Sequence, residues 1–367
     1  MSNRDFSELK KIIEINSWTK NKSGVDINGN IFGDWLCELE LERIVYERED
    51  IGNHLHFKSK KRDGKKLLLL GHLDTVFPPD TFEEFREDEE WIYGAGVCDM
   101  KGGNFVALEA LRNIYKSKGE IYNIDFLLVS DEETGSDDSK LLSAKVAEDY
   151  DYCMVFEASG VNEEVVVARK GVGTFFIDIV GEASHAGNNY SDGADANLEA
   201  SYKLQALVAL TDLDMGTTVN VGKMSGGIGA NTISPKAHLT FELRYRDIRE
   251  KERVLESVYN IVSKSFVDGT SATLSGGIQR DVMQPSKAQE DFIERIETLC
   301  GVSLPTEHRG GVSDANIISS KGVITLDGFG PYGDGDHTIN ERALKETFDS
   351  RIELVTDIFG YLMENRI

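Results

Sequence analysis

The chain is expected to be an α/β protein: a mostly parallel-sheet catalytic domain with a ferredoxin-like α+β domain inserted into it. Three observations predict this. Short apolar runs such as Leu67-Leu68-Leu69-Leu70 alternate with helical patterns, the order that a parallel sheet with crossover helices requires. Residues 172–276 instead read β-α-β-β-α-β, the split motif of ferredoxin-like domains. Beyond Gln284-Pro285-Ser286 the first pattern resumes. The expected boundaries are 1–170 with 285–367 for a discontinuous catalytic domain, and 171–284 for an inserted lid or dimerisation domain.

Residues 6–15 read as an amphipathic helix, 16–30 as a polar, Gly-containing loop and 31–41 as a second helix. Strands at 43–47 and 54–58 flank Asp50-Ile51-Gly52-Asn53, a turn signal. A buried strand at 66–70 leads into Gly71-His72-Leu73-Asp74-Thr75. After Pro78-Pro79 and an acidic stretch, the Gly-rich segment 94–103 opens a helix on which Phe105, Leu108, Leu111 and Tyr115 recur at helical spacing. The strand at 124–129 is followed at once by Ser130-Asp131-Glu132-Glu133, and that at 152–156 by Glu157. In the insert, strands are expected at 172–180, 217–224, 238–245 and 272–276, with helices at 197–210 and 251–266. Helices at 289–300, 313–320 and 344–363, a strand at 323–327 and a Gly-rich loop at 328–337 complete the chain.

Its 367 residues are enough for two domains, and 40% hydrophobic with 28% charged residues is ordinary for a globular protein. A net charge of −24 argues against nucleic acid, which needs a basic footprint, and against an anionic membrane surface. Cys37, Cys98, Cys153 and Cys300 lack CxxC spacing, which points to reduced thiols in a cytoplasmic chain. Met1-Ser2-Asn3-Arg4-Asp5 has no apolar h-region, and no run approaches the ~20 apolar residues of a membrane span.

Open α/β sheets place ligand sites at the carboxyl ends of their strands. Here those ends offer His72, Glu132-Glu133, Glu157 and the loop with His337, while Asp99 lies in a Gly-rich loop opening a helix. Asp74, two residues from His72, points the same way along an extended chain and can orient a ligating imidazole from behind. Two imidazoles with several carboxylates suit Zn²⁺, or Co²⁺ or Mn²⁺. The set exceeds what one metal with an open position needs, so a pair bridged by a shared carboxylate accounts for it better. Each residue has a plainer reading: Asp99 as a helix cap, Glu132-Glu133 as a solvated acidic turn, Arg244 as a surface ion pair, and His308 as a neighbour competing with His337.

The segments Gly71 to Val76, Gly94 to Gly103, Asp131 to Ser136, Gly181 to Gly187 and Gly333 to Thr338 together resemble the M20 metallopeptidases, in sequence order and over essentially the whole chain. Residues 168–173 and 325–331 resemble the carboxypeptidase G2 (glutamate carboxypeptidase) branch. The resemblance implies one zinc held by His72, Asp99 and Glu157, and a second by Asp99, Glu133 and His337, with Asp99 bridging. It implies Glu132 as general base, Asp74 as the carboxylate behind His72, and a cis peptide bond after Asp99. It gives His185, Asn231 and Arg244 the binding of the reacting carbonyl and the substrate carboxylate, and makes the inserted domain the interface of a homodimer. Cys98 and Asp336 depart from the family pattern without changing a ligand identity.

The function so implied is hydrolysis of an amide or peptide bond beside a free carboxylate, in a small peptide or N-acyl amino acid. An N-acyl-amino-acid deacylase uses the same machinery and differs in its acyl pocket. A metal-binding protein without activity on the same fold is a different class, against which the intact Glu132 speaks. A Ca²⁺ module would use carboxylates and carbonyls without imidazoles.

Overall fold

The structure, a computed structural model, describes residues 4–367; residues 1–3, part of the start in which no apolar leader is read, lie outside them. It divides into two compact units. One comprises Met1–Ala168, Pro285–Arg309 and Ser313–Ile367, and the other Arg169–Gln284 with Gly310–Val312.

The first unit is built on a six-stranded sheet. Its order is Glu42–Tyr46, His54–Lys58, Ile124–Val129, Leu67–His72, Tyr152–Val155, Ile324–Leu326. The last four strands are parallel and the first two antiparallel, so the mainly parallel α/β class is as expected. Leu67 to Leu70 are fully buried, which a central parallel strand covered on both faces demands. Each contributes about 1.5–3 kcal/mol of burial. The helix Lys101–Lys118 packs against the carboxyl-terminal helix Lys345–Met363 through Phe105 and Phe348, whose rings meet edge-on at 6.4 Å.

The loop expected at 16–30 is corrected: the helix Lys22–Cys37 occupies most of it. Gly24, Asn28, Gly29 and Asn30 have low helix propensity and mask the signal. Tertiary packing overrides it, because Val25, Gly29, Phe32 and Leu36 are buried at helical spacing. Asn21 caps the helix by accepting from the Gly24 N–H. Gly24 is required there, since a Cβ would lie 1.8 Å from the Asn16 carbonyl oxygen.

A second, small sheet has no counterpart in the sequence reading. It orders Gly333–Asp334, Arg342–Leu344, Trp91–Tyr93 and Arg86–Glu87. Its central pair is antiparallel, with Arg342 opposite Tyr93 and Leu344 opposite Trp91. Strands of two or three residues are too short to show a period.

The inserted unit has the expected β-α-β-β-α-β order. Its antiparallel sheet runs Thr218–Gly226, Lys236–Tyr245, Gly171–Val180, Ser271–Arg280, with helices Ala196–Val208 and Ile248–Ser263. Phe175, Ile177 and Ile179 alternate inward with Leu239, Phe241 and Leu243, and Phe175 stacks on Phe241 at 5.1 Å. Val254, Val258 and Val262 bury one stripe of the second helix against this core.

Candidate metal centre

Three neighbouring parallel strands end together. His72 closes the central one, Glu132 and Glu133 form a single turn after Ile124–Val129, and Glu157 follows Tyr152–Val155 by two residues. Asp99 arrives from the loop before Lys101–Lys118, with a cis peptide to Met100. That helix presses on the neighbouring strand end: a Cβ on Gly103 would lie 1.8 Å from the Phe156 carbonyl oxygen. His337 is delivered differently. It sits in the hairpin of the small sheet, between Gly333–Asp334 and Arg342–Leu344, at φ 61°.

Asp99 stands between the two imidazoles. Its Oδ1 is 3.0 Å from His72 Nε2, and its Oδ2 is 3.2 Å from His337 Nε2. Glu157 lies 3.8 Å from His72 Nε2, and Glu133 lies 3.2 Å from His337 Nε2. Thus His72, Asp99 and Glu157 form one group that could hold a metal ion, and Asp99, Glu133 and His337 form another. Within each, the donor atoms lie within 4.8 Å of one another. The donors are nitrogen and oxygen without thiolate, the set that suits Zn²⁺, Co²⁺ or Mn²⁺.

The electrostatics of the protein alone call for added positive charge. Burial pushes the Glu133 carboxyl up to about 8, with Asp99 adding to it, and carries Glu157 well above its usual range for the same two reasons. Burial works against the charged form of His72, but hydrogen bonds with Asp74 and Asp99 and the Glu157 charge outweigh it, so its pKa is raised. Hydrogen bonds to Asp99 and Glu133 push His337 up to about 11. Burial would raise Asp99, yet the two imidazoles hold it below the carboxylate range. Protons gather where a cation would sit.

Behind the ligands lie two buried carboxylates. His72 Nδ1 donates to the backbone carbonyl of Asp74 at 3.0 Å, with the Asp74 carboxylate at 3.4 Å. The carboxylate itself accepts from Thr19 Oγ1 at 2.7 Å and from the N–H groups of Glu132 and Glu133 at 3.3 and 3.2 Å. Asp74 therefore ties the His72 strand to the Glu132-Glu133 turn as well as backing the ring. Asn104 Nδ2 donates to the His72 carbonyl at 2.7 Å. The second carboxylate is Glu341, 1% exposed, which accepts from the N–H groups of Gly96, Cys98 and Asp99 at 3.0, 3.0 and 3.1 Å. Burial and the Asp99 charge push Glu341 up to about 7, against those three donors.

The remaining expected residues lie in the inserted unit. His185 Nδ1 accepts from the N–H groups of Gly187 and Asn188 at 3.2 and 3.1 Å. In the neutral ring that tautomer carries its proton on Nε2. Asn231 is beside it: its carbonyl accepts from the Ala186 N–H, and His185 bridges Thr232. Arg244 is not with them. It lies eight residues along the Lys236–Tyr245 strand, roughly 27 Å from its start at ~3.4 Å per residue. Its Nε and Nη2 donate to Glu242 at 2.7 and 3.2 Å, and its Nη1 donates to the Gly310 carbonyl.

The family model Peptidase family M20/M25/M40 matches residues 68–361, most of the chain. The chain belongs to this family. This M20 hydrolase is 26% identical to carboxypeptidase G2 of Pseudomonas sp. (strain RS-16), over 95% of this chain and 88% of that one. It is 32% identical to N-acetyl-L-citrulline deacetylase of Xanthomonas campestris pv. campestris, over 90% and 91%. Among solved structures it shares its fold with a tripeptidase of Staphylococcus aureus at TM-score 0.80, 23% identity and 98% coverage of both chains. It shares it also with a dinuclear metal-binding M20 peptidase of Bacillus subtilis at TM-score 0.70 and 14% identity, covering 97% and 96%.

Several residues supporting the metal groups of this M20 chain escape sequence reasoning. Thr19 and Asn104 give no signal, because a buried polar side chain shows itself only by its partner. Lys101 follows Asp99 by two residues and is buried. Its Nζ donates to the Ile12 and Ile15 carbonyls, and burial brings its pKa down to about 7. Glu341 is one acid among 64 in the sequence. Its position four residues after His337 was the available hint.

Proposed function

We propose that this M20 metallohydrolase is a dinuclear zinc enzyme that cleaves an amide bond next to a free carboxylate, as a glutamate carboxypeptidase does. One observation carries the reading: the two oxygens of Asp99 face different imidazoles, the disposition a bridging ligand needs. His72, Asp99, Glu157, Glu133 and His337 would hold divalent ions there, whose Lewis acidity would polarise a carbonyl oxygen and lower the pKa of a water from 15.7 toward ~7. Glu132, held by its N–H on Asp74, takes the proton of the attacking water and returns it to the leaving nitrogen. His185, with its proton on Nε2, donates to the carbonyl oxygen as charge develops there. Arg244 binds the substrate carboxylate. Glu242 fixes the Nε/Nη2 edge of its guanidinium and the Gly310 carbonyl takes one Nη1 proton, so a substrate carboxylate would compete for the remaining Nη protons.

The same residues support a homodimer through the inserted domain. Asn231, with His185 beside it, precedes the start of the strand Lys236–Tyr245 and Arg244 lies near its end, a separation that favours a second copy of the domain bringing one of them to a small substrate. The four cysteines are free, which fits a reducing, cytoplasmic setting. A second reading, an N-acyl-amino-acid deacylase, draws support from the 32% identity to a deacetylase of that kind. A release assay over N-acyl and dipeptide substrates ending in Glu, Asp, Lys, ornithine and Leu, with Zn²⁺ or Co²⁺ added, separates the two.

Glu132→Gln tests the mechanism. Turnover should fall roughly 10²- to 10⁴-fold, the size of a general acid–base contribution, while metal content stays at the wild-type value. Loss of metal along with activity would remove Glu132 from the proton-transfer role. Arg244→Ala should raise KM for carboxylate substrates far more than for their amides.

A further inference from the structure

We propose that Glu341 is a positioning residue that pins the Asp99 loop to the His337 hairpin, and so builds the second metal position before any ion arrives. This rests on the two-ion reading above. The geometry is specific. Glu341 Oε2 accepts from the Gly96 N–H, and Oε1 accepts from the N–H groups of Cys98 and Asp99 and from Cys98 Sγ at 3.4 Å. The backbone of Glu341 joins in, its carbonyl accepting from the Gly94 N–H at 3.3 Å. One side chain thus gathers the backbone of the whole loop that ends in Asp99. The same residue closes the turn that carries His337. Thr338 N–H donates to the Gly335 carbonyl and Glu341 N–H to the Thr338 carbonyl, after which the strand Arg342–Leu344 pairs with Trp91–Tyr93.

The arrangement solves a problem particular to the second group. His72 and Glu157 are fixed by strands of the main sheet. His337 is exposed and on a hairpin far along the chain, and its distance to Asp99 has no such support. Glu341 supplies it with a carboxylate of the right length: three N–H donors spread over residues 96 to 99 need two oxygens that reach them from one point. Asp is one methylene shorter and cannot span from its strand to all three. Gln has one acceptor oxygen and turns an NH₂ toward at least one N–H. Outer groups that orient metal ligands in this way typically change metal affinity by about 10- to 100-fold when replaced.

The test compares the wild-type chain with Glu341→Asp and Glu341→Gln, measuring Zn²⁺ stoichiometry and affinity by chelator competition, with activity at increasing free Zn²⁺. Both variants should bind the second ion at least about tenfold more weakly, and excess Zn²⁺ should restore kcat because every ligand is intact. If Glu341→Asp keeps wild-type affinity while Glu341→Gln does not, charge alone is at work and the positioning role is overturned. Unchanged affinity in both variants overturns it as well. A wild-type chain that saturates at one ion overturns the two-ion reading, and this assignment with it. Hydrogen exchange on the metal-free wild type needs no variant. The Gly96, Cys98 and Asp99 amides should be protected, and exchange at the rate of an open loop would show that Glu341 does not hold them.

Discussion

The two candidate metal groups share Asp99 but are made from different parts of the fold. In the first, His72 is 1% exposed and Glu157 12%, and both sit at the ends of adjacent strands of the central sheet. In the second, Glu133 is 3% exposed but His337 is 57% exposed, and its hairpin belongs to a sheet of two- and three-residue strands. Donor chemistry is alike in both, one imidazole with two carboxylates. The difference is in what holds the donors, and it assigns separate roles: a first position that the fold makes unavoidable, and a second that depends on a local clamp. Exchange with solvent and chelators should begin at the second.

The largest effect that sharpens this contrast is on the metal-free protein. His72→Ala leaves buried carboxylates without their imidazole, and removing one partner of a buried charged pair costs about 3–5 kcal/mol. His337→Ala also takes a partner from Asp99 and Glu133, but water reaches the site of its exposed ring, so the loss should be smaller. Urea melts of the two metal-free variants measure this, and equal losses would break the comparison. In the presence of Zn²⁺, His337→Ala should retain one ion per chain.

Proton release is the next measure. In the metal-free chain His337 keeps its proton up to about pH 11 and Glu133 up to about pH 8. Raised pKa values mean that the protonated forms are favoured before the ion binds, and a ligand must lose its proton to bind. Affinity at the second group should therefore strengthen as pH rises. The second group should contribute two protons below about pH 8 and one above it, added to those that His72 and Glu157 release. Titration calorimetry in buffers of different ionisation enthalpy reads this number directly. A release that does not step near pH 8 would take Glu133 out of the second group.

The same contrast governs what is legible in the sequence. The apolar runs 67–70, 124–129 and 152–155 announce buried strands, and polar residues directly after them point to a site at the strand ends. His72, Glu133 and Glu157 could be found that way. His337 is offered only as part of the long loop after the last strand, since Ile324–Leu326 ends well before it and its hairpin has no periodic pattern, and spacing does not separate it from His308. The resemblance of residues 333–338 decides for it over His308. Asp74 was read as the carboxylate behind His72, yet the atom nearest the ring is its backbone carbonyl. Its side chain serves the Glu132-Glu133 turn, a contact between loops that sequence spacing does not encode. The first half of the helix Lys22–Cys37 was missed for a related reason: its glycines are set by close approach to other parts of the unit, not by local propensity.

Asp74 also yields the smallest and most discriminating effect. Thr19 is buried and donates from Oγ1 to Asp74 Oδ2 at 2.7 Å. Thr19→Val keeps the shape and removes that one donor, while the Glu132 and Glu133 N–H groups remain on the carboxylate. A hydrogen bond to a charged group is worth about 1.5–3 kcal/mol, so the folded chain should lose stability of that order. The effect on metal should be only a few-fold, less than the ~10-fold or more seen for a group touching a ligand directly. Its distribution matters more than its size. Because Asp74 both backs His72 and holds the Glu133 turn, the two ions should weaken together, unlike the selective loss expected from His337→Ala. Weakening confined to the first ion would mean that the Glu132-Glu133 turn keeps its place without Asp74, and that the two groups are joined through Asp99 alone.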